Sequence, residues 1–348
     1  MYKKFFMGIA AMAALTLVSC SSDDLNSLSD NSSKNEAISF DGYLGRSAVA
    51  VNGSRGSELT KDALQKLTDG GFGVFGNYSK DSEGATHAYG KNWFDNQKVT
   101  FISGAWTYEP LKYWLPEGHI DFLAYAPYDA KNTAITDFKS KIDFSVDKEI
   151  AKQKDLLWAN ATNKTKADKT VTFNFKHALA KIGYTVKTNV VGAGTTITLN
   201  KITLAGSATD QTKTAFYTKG TIDLSKANDA TDLWEPSSSD AKQNFEWFSG
   251  DKLLTGTSES NSNTNYLFVI PQDFTGADEL FVVVEYTITY NTGVEATMKS
   301  TVSSQIKKKF EQGKAYMINL PIGLTPIEFD ADVTDWGVDD EINIDSWK

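Results

Sequence analysis

Gly71, Gly73 and Gly76 stand at the GxGxxG spacing with which a backbone turn can wrap a pyrophosphate. That chemistry needs a strand before the glycines and a helix after them, because the helix N-terminus meets the anion. Here the apolar strand lies inside the motif and Asn77-Tyr78-Ser79-Lys80-Asp81-Ser82 comes next. The glycines therefore read as a strand packed closely against a neighbour. The three histidines, His87, His119 and His177, are far apart and form no HExxH pair. His177 falls on the apolar face of an alternating stretch and reads as a core histidine with one satisfied nitrogen. No GxSxG elbow is present, nor a GxxxxGK run followed by Ser or Thr. Glu328, Asp330, Asp332, Asp335, Asp339, Asp340, Glu341 and Asp345 crowd the C-terminus without EF-hand spacing, and read as a solvated strand face. A paired-carboxylate glycosidase draws no specific support from the acids. Trp93, Trp106 and Trp114 could stack on sugars, but core packing is the commoner fate of such residues. The expectation is no catalytic residue, no metal and no cofactor, hence no enzyme.

Two other residue types carry chemistry of a different kind. The only cysteine, Cys20, excludes an intramolecular disulfide and a cysteine cluster for zinc or iron–sulfur. It comes after Lys3, Lys4 and an apolar run from Phe5 to Val18, which reads as a secretory signal over residues 1–19. Leu17-Val18-Ser19-Cys20 resembles a lipobox, in which the thiol is acylated and the cysteine becomes the new N-terminus. Residues 20–36 then form a polar, low-complexity tether. The second anomaly is arginine. Against 33 lysines there are two arginines, Arg46 and Arg55, both in one segment rich in Gly and Ser. An arginine-specific protease would have two candidate sites there.

The composition sets what these residues sit on. Of 348 residues 41% are hydrophobic and 23% charged, which is globular; the net charge of −9 argues against a nucleic-acid partner. Aromatics and turn residues are abundant, so strands are expected over helices. Ile38, Phe40 and Leu44 share one parity, as a strand over 37–45 requires. Leu59, Ala63, Leu64 and Leu67 suit a short helix within 58–67. Strands are read near 72–78, 98–103, 105–109 and 120–126. Residues 129–168 are polar and mixed, and a domain boundary is placed near 168. Beyond it Val171, Phe173, Phe175, His177 and Leu179 share a face. The apolar parity then switches to Ile182, Tyr184 and Val186, which predicts a bulge or bend near 180. Further strands are read at 195–205, 265–270, 280–290, 315–322 and 326–333, with a long loop over 235–263. The fold class expected is all-β, as two β-sandwiches, over 37–168 and 169–348.

The first strand and the chain's end complement each other. A cut after Arg46 would sever Ile38, Phe40 and Leu44 from the first sandwich and open an apolar groove with an unpaired edge. Trp336, Val338, Ile342 and Ile344 share parity in the tail 336–348, with Asp340 interrupting. Such a tail could enter the groove of the next subunit, and head-to-tail contacts of this type build filaments.

In this order and spacing the residues resemble the fimbrillin family of Bacteroidota, subunits of type V pili. The resemblance rests on the lipobox at Cys20, Ile38-Ser39-Phe40 before Arg46 and Arg55, and Gly71-Phe72-Gly73-Val74-Phe75. It extends over Val171-Thr172-Phe173-Asn174-Phe175-Lys176-His177, Val269-Ile270-Pro271-Gln272, Gly313-Lys314-Ala315-Tyr316 and Val333-Thr334-Asp335-Trp336. It implies two transthyretin-like β-sandwich domains in tandem. It implies export as an outer-membrane lipoprotein precursor, trimming by an arginine-specific protease, and strand exchange with neighbouring fimbrillin subunits in a cell-surface fimbrium. Arg46 matches the cleavage position by its adjacency to the strand, and Arg55 matches an arginine common in the family's opening segment. Adhesion to a host or bacterial surface ligand would follow from a stalk role. The alternative is a monomeric or tip lipoprotein adhesin that binds glycan or host protein.

Overall fold

Period-two alternation runs through most of the chain, and the folded protein is almost entirely β-sheet. The computed structural model describes residues 37–44, 59, 61–66, 71–80, 92–132, 141–190, 194–227, 230–236, 242–256, 259–260, 266–292, 294–324, 333–335 and 341–342. All of them fall in the unit Glu36–Lys348.

The first half contributes β1 (Ser39–Leu44), a short helix α1 (Lys61–Lys66), β2 (Phe72–Ser79), β3 (Asn92–Ile102), β4 (Ala105–Thr107), β5 (His119–Ala126), β6 (Lys141–Ser145), β7 (Leu157–Lys164) and β8 (Thr170–His177). Seven of these strands form one sheet in the order β1-β8-β7-β5-β2-β3-β4. Its central strands are covered on both faces. Phe72, Val74, Phe122, Ala124, Leu157 and Ala159 point into a first core. Their neighbours Phe75, Leu123, Tyr125 and Trp158 point into a second one. That double cover is why His119–Ala126 is buried at every position instead of alternating.

The second half adds β9 (Ala180–Thr188) and β10 (Thr195–Ala205). A four-stranded sheet runs Phe245–Leu253, β10, Phe281–Thr292, Val294–Gln305. A second sheet is built on β9, which pairs in parallel with Lys314–Ile322. The two share the second core, with Ile197, Leu199, Val282 and Val284 from one and Ile182, Tyr184, Ile318 and Leu320 from the other. The rings of Tyr184 and Trp247 meet at 4.8 Å across it.

The parity switch near 180 proves to be a passage between sheets. β8 ends at His177 in the seven-stranded sheet and β9 begins at Ala180 in another. The peptide groups between them stay paired: the Ala178 N–H donates to the Leu156 carbonyl and the Leu179 carbonyl accepts from Gly313. Strand β8, expected beyond a boundary near 168, thus belongs to the first sheet with β1 and β7.

One expectation is corrected, and two further stretches hold strands where none is read from the sequence. Residues 129–168 hold β6 and β7, because Leu157, Trp158 and Ala159 are shared between two cores while the Asn160 side chain donates to the Leu224 and Lys226 carbonyls. The loop expected over 235–263 contains the strand Phe245–Leu253, in which Phe245 and Trp247 turn inward and outweigh the polar composition. Val294–Gln305 is a full hairpin partner of Phe281–Thr292, although its exposed face of Thr, Ser and Lys gives it no apolar alternation. Most of the strand expected over 326–333 lies outside the described residues, which show Val333–Asp335 instead.

Candidate functional site

The residues that could serve assembly converge on β1 and its seat. β1 pairs in parallel with β8, from Ser39 opposite Thr170 to Leu44 opposite Phe175. On its other side lie β4 and the segment after it, so β1 sits between two ends of a sheet that nearly closes on itself. Ala37 forms a bridge with Tyr113, and the Ile38 N–H donates to the Lys112 carbonyl at 2.8 Å.

Alternation decides what β1 buries. Ser39 and Asp41 are exposed, whereas Ile38 is 1% and Phe40 5% exposed. The Phe40 ring sits among Tyr108 at 5.3 Å, Phe94 and Phe122 at 5.5 Å and Phe173 at 5.7 Å. The strand's polar ends are also held. Ser39 Oγ lies 2.7 Å from Thr170 Oγ1. The Tyr108 hydroxyl donates to the Ile38 carbonyl at 2.7 Å and accepts from the Lys112 N–H at 3.3 Å. Burial pushes the Tyr108 phenol above its ordinary range, so it stays protonated and remains a donor. Burial likewise lowers the Lys112 ammonium, which sits 4.8 Å from the centre of the Phe94 ring and donates to the Trp93 carbonyl.

Replacing Tyr108 by Phe keeps the ring in the cage and removes the donor to Ile38. The buried carbonyl is then left unmet, at a cost of about 1–3 kcal/mol. Urea unfolding of the full-length protein reads this directly; an unchanged midpoint would show that the bond is not held in solution.

The chain beyond β1 is anchored again at Leu59, which is 3% exposed. Its N–H donates to Asp155 Oδ2 at 3.1 Å, and the same oxygen lies 2.7 Å from His177 Nδ1. His177 is thus a buried core histidine paired through one ring nitrogen, as its place on the apolar face suggested. The GxGxxG glycines pack closely along β2. A Cβ at Gly71, which has φ +76°, would lie 1.8 Å from the Val99 carbonyl oxygen, and one at Gly73 would lie 2.5 Å from Tyr125 Cε1. Trp114 is buried, and Trp93 and Trp106 pack against the first core.

Of the residues singled out in the sequence, Ile38 and Phe40 come together in this seat. Leu44 is placed by its backbone opposite Phe175. Cys20, Arg46, Arg55, Trp336, Val338 and Ile344 lie outside the described residues. Ile342 pairs in parallel with Ile318 on the Lys314–Ile322 strand, and Val333–Asp335 pairs antiparallel with Lys314–Tyr316. Sequence reasoning did not find Tyr108, Lys112 or Thr170 as partners of β1. They lie some 70 to 130 positions away, and no local pattern marks a residue whose role is to meet so distant a backbone.

Known proteins resemble this chain in sequence and in fold. The sequence pattern of a family described as fimbrillin-like matches residues 65–336. Fimbrium subunit Fim1C of Phocaeicola vulgatus is 25% identical over 399 aligned positions, covering 98% of this chain and 98% of that protein. The crystal structure of a fimbrial protein from Bacteroides vulgatus superposes with a TM-score of 0.63 at 22% identity, covering 87% of this chain and 100% of that one.

Proposed function

Because this chain belongs to the fimbrillin-like family, we propose that it is a stalk subunit of a cell-surface type V fimbrium, matured by proteolysis and polymerised by strand exchange. The family is one of fimbrial subunits, and association with other such subunits at the cell surface accords with membership. In this scheme the protein is exported as a lipoprotein acylated on Cys20. An arginine-specific protease cuts at Arg46 or Arg55 and releases residues 37–45. The tail 336–348 of a neighbouring subunit then fills the seat. The two transthyretin-like sandwiches keep their own cores throughout, the first closed by β1 before the cut and by the tail after it.

One observation carries this reading. Ile38 and Phe40 are integral to the first core, and the two arginines follow them by between 6 and 17 positions. Removing a strand with such residues exposes an apolar cleft and a free sheet edge, which a second strand can repair. Leu59 remains tied to Asp155, so a cut at either arginine frees β1 while the chain from Leu59 onward stays anchored. N-terminal sequencing of protein recovered from the cell surface tests the proposal. A new N-terminus at Ser47 or Gly56 is expected. An intact N-terminus with lipidated Cys20 would overturn it and favour the alternative, a monomeric or tip adhesin.

A further inference from the structure

Resting on the strand-exchange reading above, we propose that Asp340 of the incoming tail takes the place of Gly42 and accepts a hydrogen bond from the Trp106 indole N–H. Gly42 lies on the inward parity of β1 with Ile38 and Phe40, and it is buried. A Cβ there would stand 3.4 Å from Phe175 Cε2, 3.6 Å from Phe72 Cε1 and 3.6 Å from Trp106 Cε2. These are ordinary contact distances, so a Cβ fits at this position without displacing its neighbours. Trp106 Nε1, bonded to that same Cε2, is buried with no hydrogen-bond partner among the described residues. The indole is held in place by Phe72 at 4.8 Å and Phe101 at 5.1 Å. A buried donor without an acceptor is unfavourable, and a short acceptor at position 42 would relieve it.

The tail offers one such residue in the right row. Trp336, Val338, Asp340, Ile342 and Ile344 share parity, and Asp340 is the polar member at the centre. Setting Asp340 at position 42 places Trp336, Val338 and Ile342 at 38, 40 and 44 in a parallel strand. In an antiparallel strand the same setting places Ile344, Ile342 and Val338 there. Every other inward position is then large and apolar in either direction. A shift of two residues toward position 40 would instead drive the carboxylate into the cage of Phe94, Phe122 and Phe173 that holds Phe40. A carboxylate without a hydrogen-bond donor is costly in such surroundings. Asp340 thus acts as a register key, favouring one alignment and penalising the one that would set it at position 40. It also biases the exchange, because β1 leaves the indole unmet and the tail satisfies it.

The test uses full-length protein cut with an arginine-specific protease, and synthetic peptides with the sequence of residues 336–348. The wild-type peptide is expected to bind. Asp340→Ala in the peptide should weaken binding roughly ten- to a hundredfold, the range of a hydrogen bond to a charged group. Asp340→Asn, which keeps an acceptor, should retain most of the affinity. In protein carrying Trp106→Phe the wild-type and Asp340→Ala peptides should bind alike. Equal binding of those two peptides to the wild-type protein overturns the register key and leaves strand exchange standing. So does an Asp340→Ala penalty that persists in Trp106→Phe. Failure of the wild-type peptide to bind at all overturns strand exchange and this inference together. A second arm does not depend on the Trp106 variant folding. Gly42→Asp should make β1 leave the cut protein more slowly than wild type, and faster release would count against the geometry.

Discussion

Protein in which Arg46 and Arg55 are both replaced by alanine should reach the surface and remain monomeric. Only these two arginines occur among the 35 cationic side chains, so an arginine-specific protease loses every site in the chain. β1 then stays covalently attached to the sheet it completes. Attachment matters energetically: a short tether presents its strand at an effective concentration in the millimolar range, which a free tail on another molecule cannot match. Ile38 and Phe40 continue to fill the seat, the Tyr108 hydroxyl continues to cap the Ile38 carbonyl, and no edge opens. The measurement is electrophoresis of surface extracts without boiling. Wild type should give a ladder and the double variant a single band. Ladders of undiminished length in the double variant would overturn the maturation scheme. The two single variants then identify the arginine that is cut.

Phe40→Ala should separate precursor from polymer. Truncating a phenylalanine held by four rings leaves a cavity that the rigid cage cannot close, and losses of about 3–5 kcal/mol are typical. That is a large share of the roughly 5–15 kcal/mol that stabilises an ordinary domain. The uncut protein should therefore melt well below wild type. The assembled fimbrium should dissociate at an unchanged temperature, because the residue is absent from it. A loss of equal size in both states would mean that β1 stays in the polymer, and the scheme would fail. The contrast is informative because Tyr108, Phe94, Phe122 and Phe173 serve both states and their truncation should weaken both.

Features that backbone geometry makes local are legible along the chain. A strand turns successive side chains to opposite faces, so the parity of Ile38 and Phe40, of Val171 to His177, and of Leu280 to Tyr290 was readable from neighbours in the chain. The folded protein uses those faces. The same locality explains the misses. Strand β7 is divided between two cores, and Val294–Gln305 has a solvated outer face, so neither shows a simple alternation. Long-range packing sets β8 in the first sheet beside β1 and makes the parity switch near 180 a step from one sheet to another. The fold also brings Tyr108 to the Ile38 carbonyl and sets the Trp106 indole beside Gly42 with no acceptor among the described residues. Such pairings join segments tens of residues apart. They are set by which surfaces exclude water together, and no period in a short window of sequence encodes that choice.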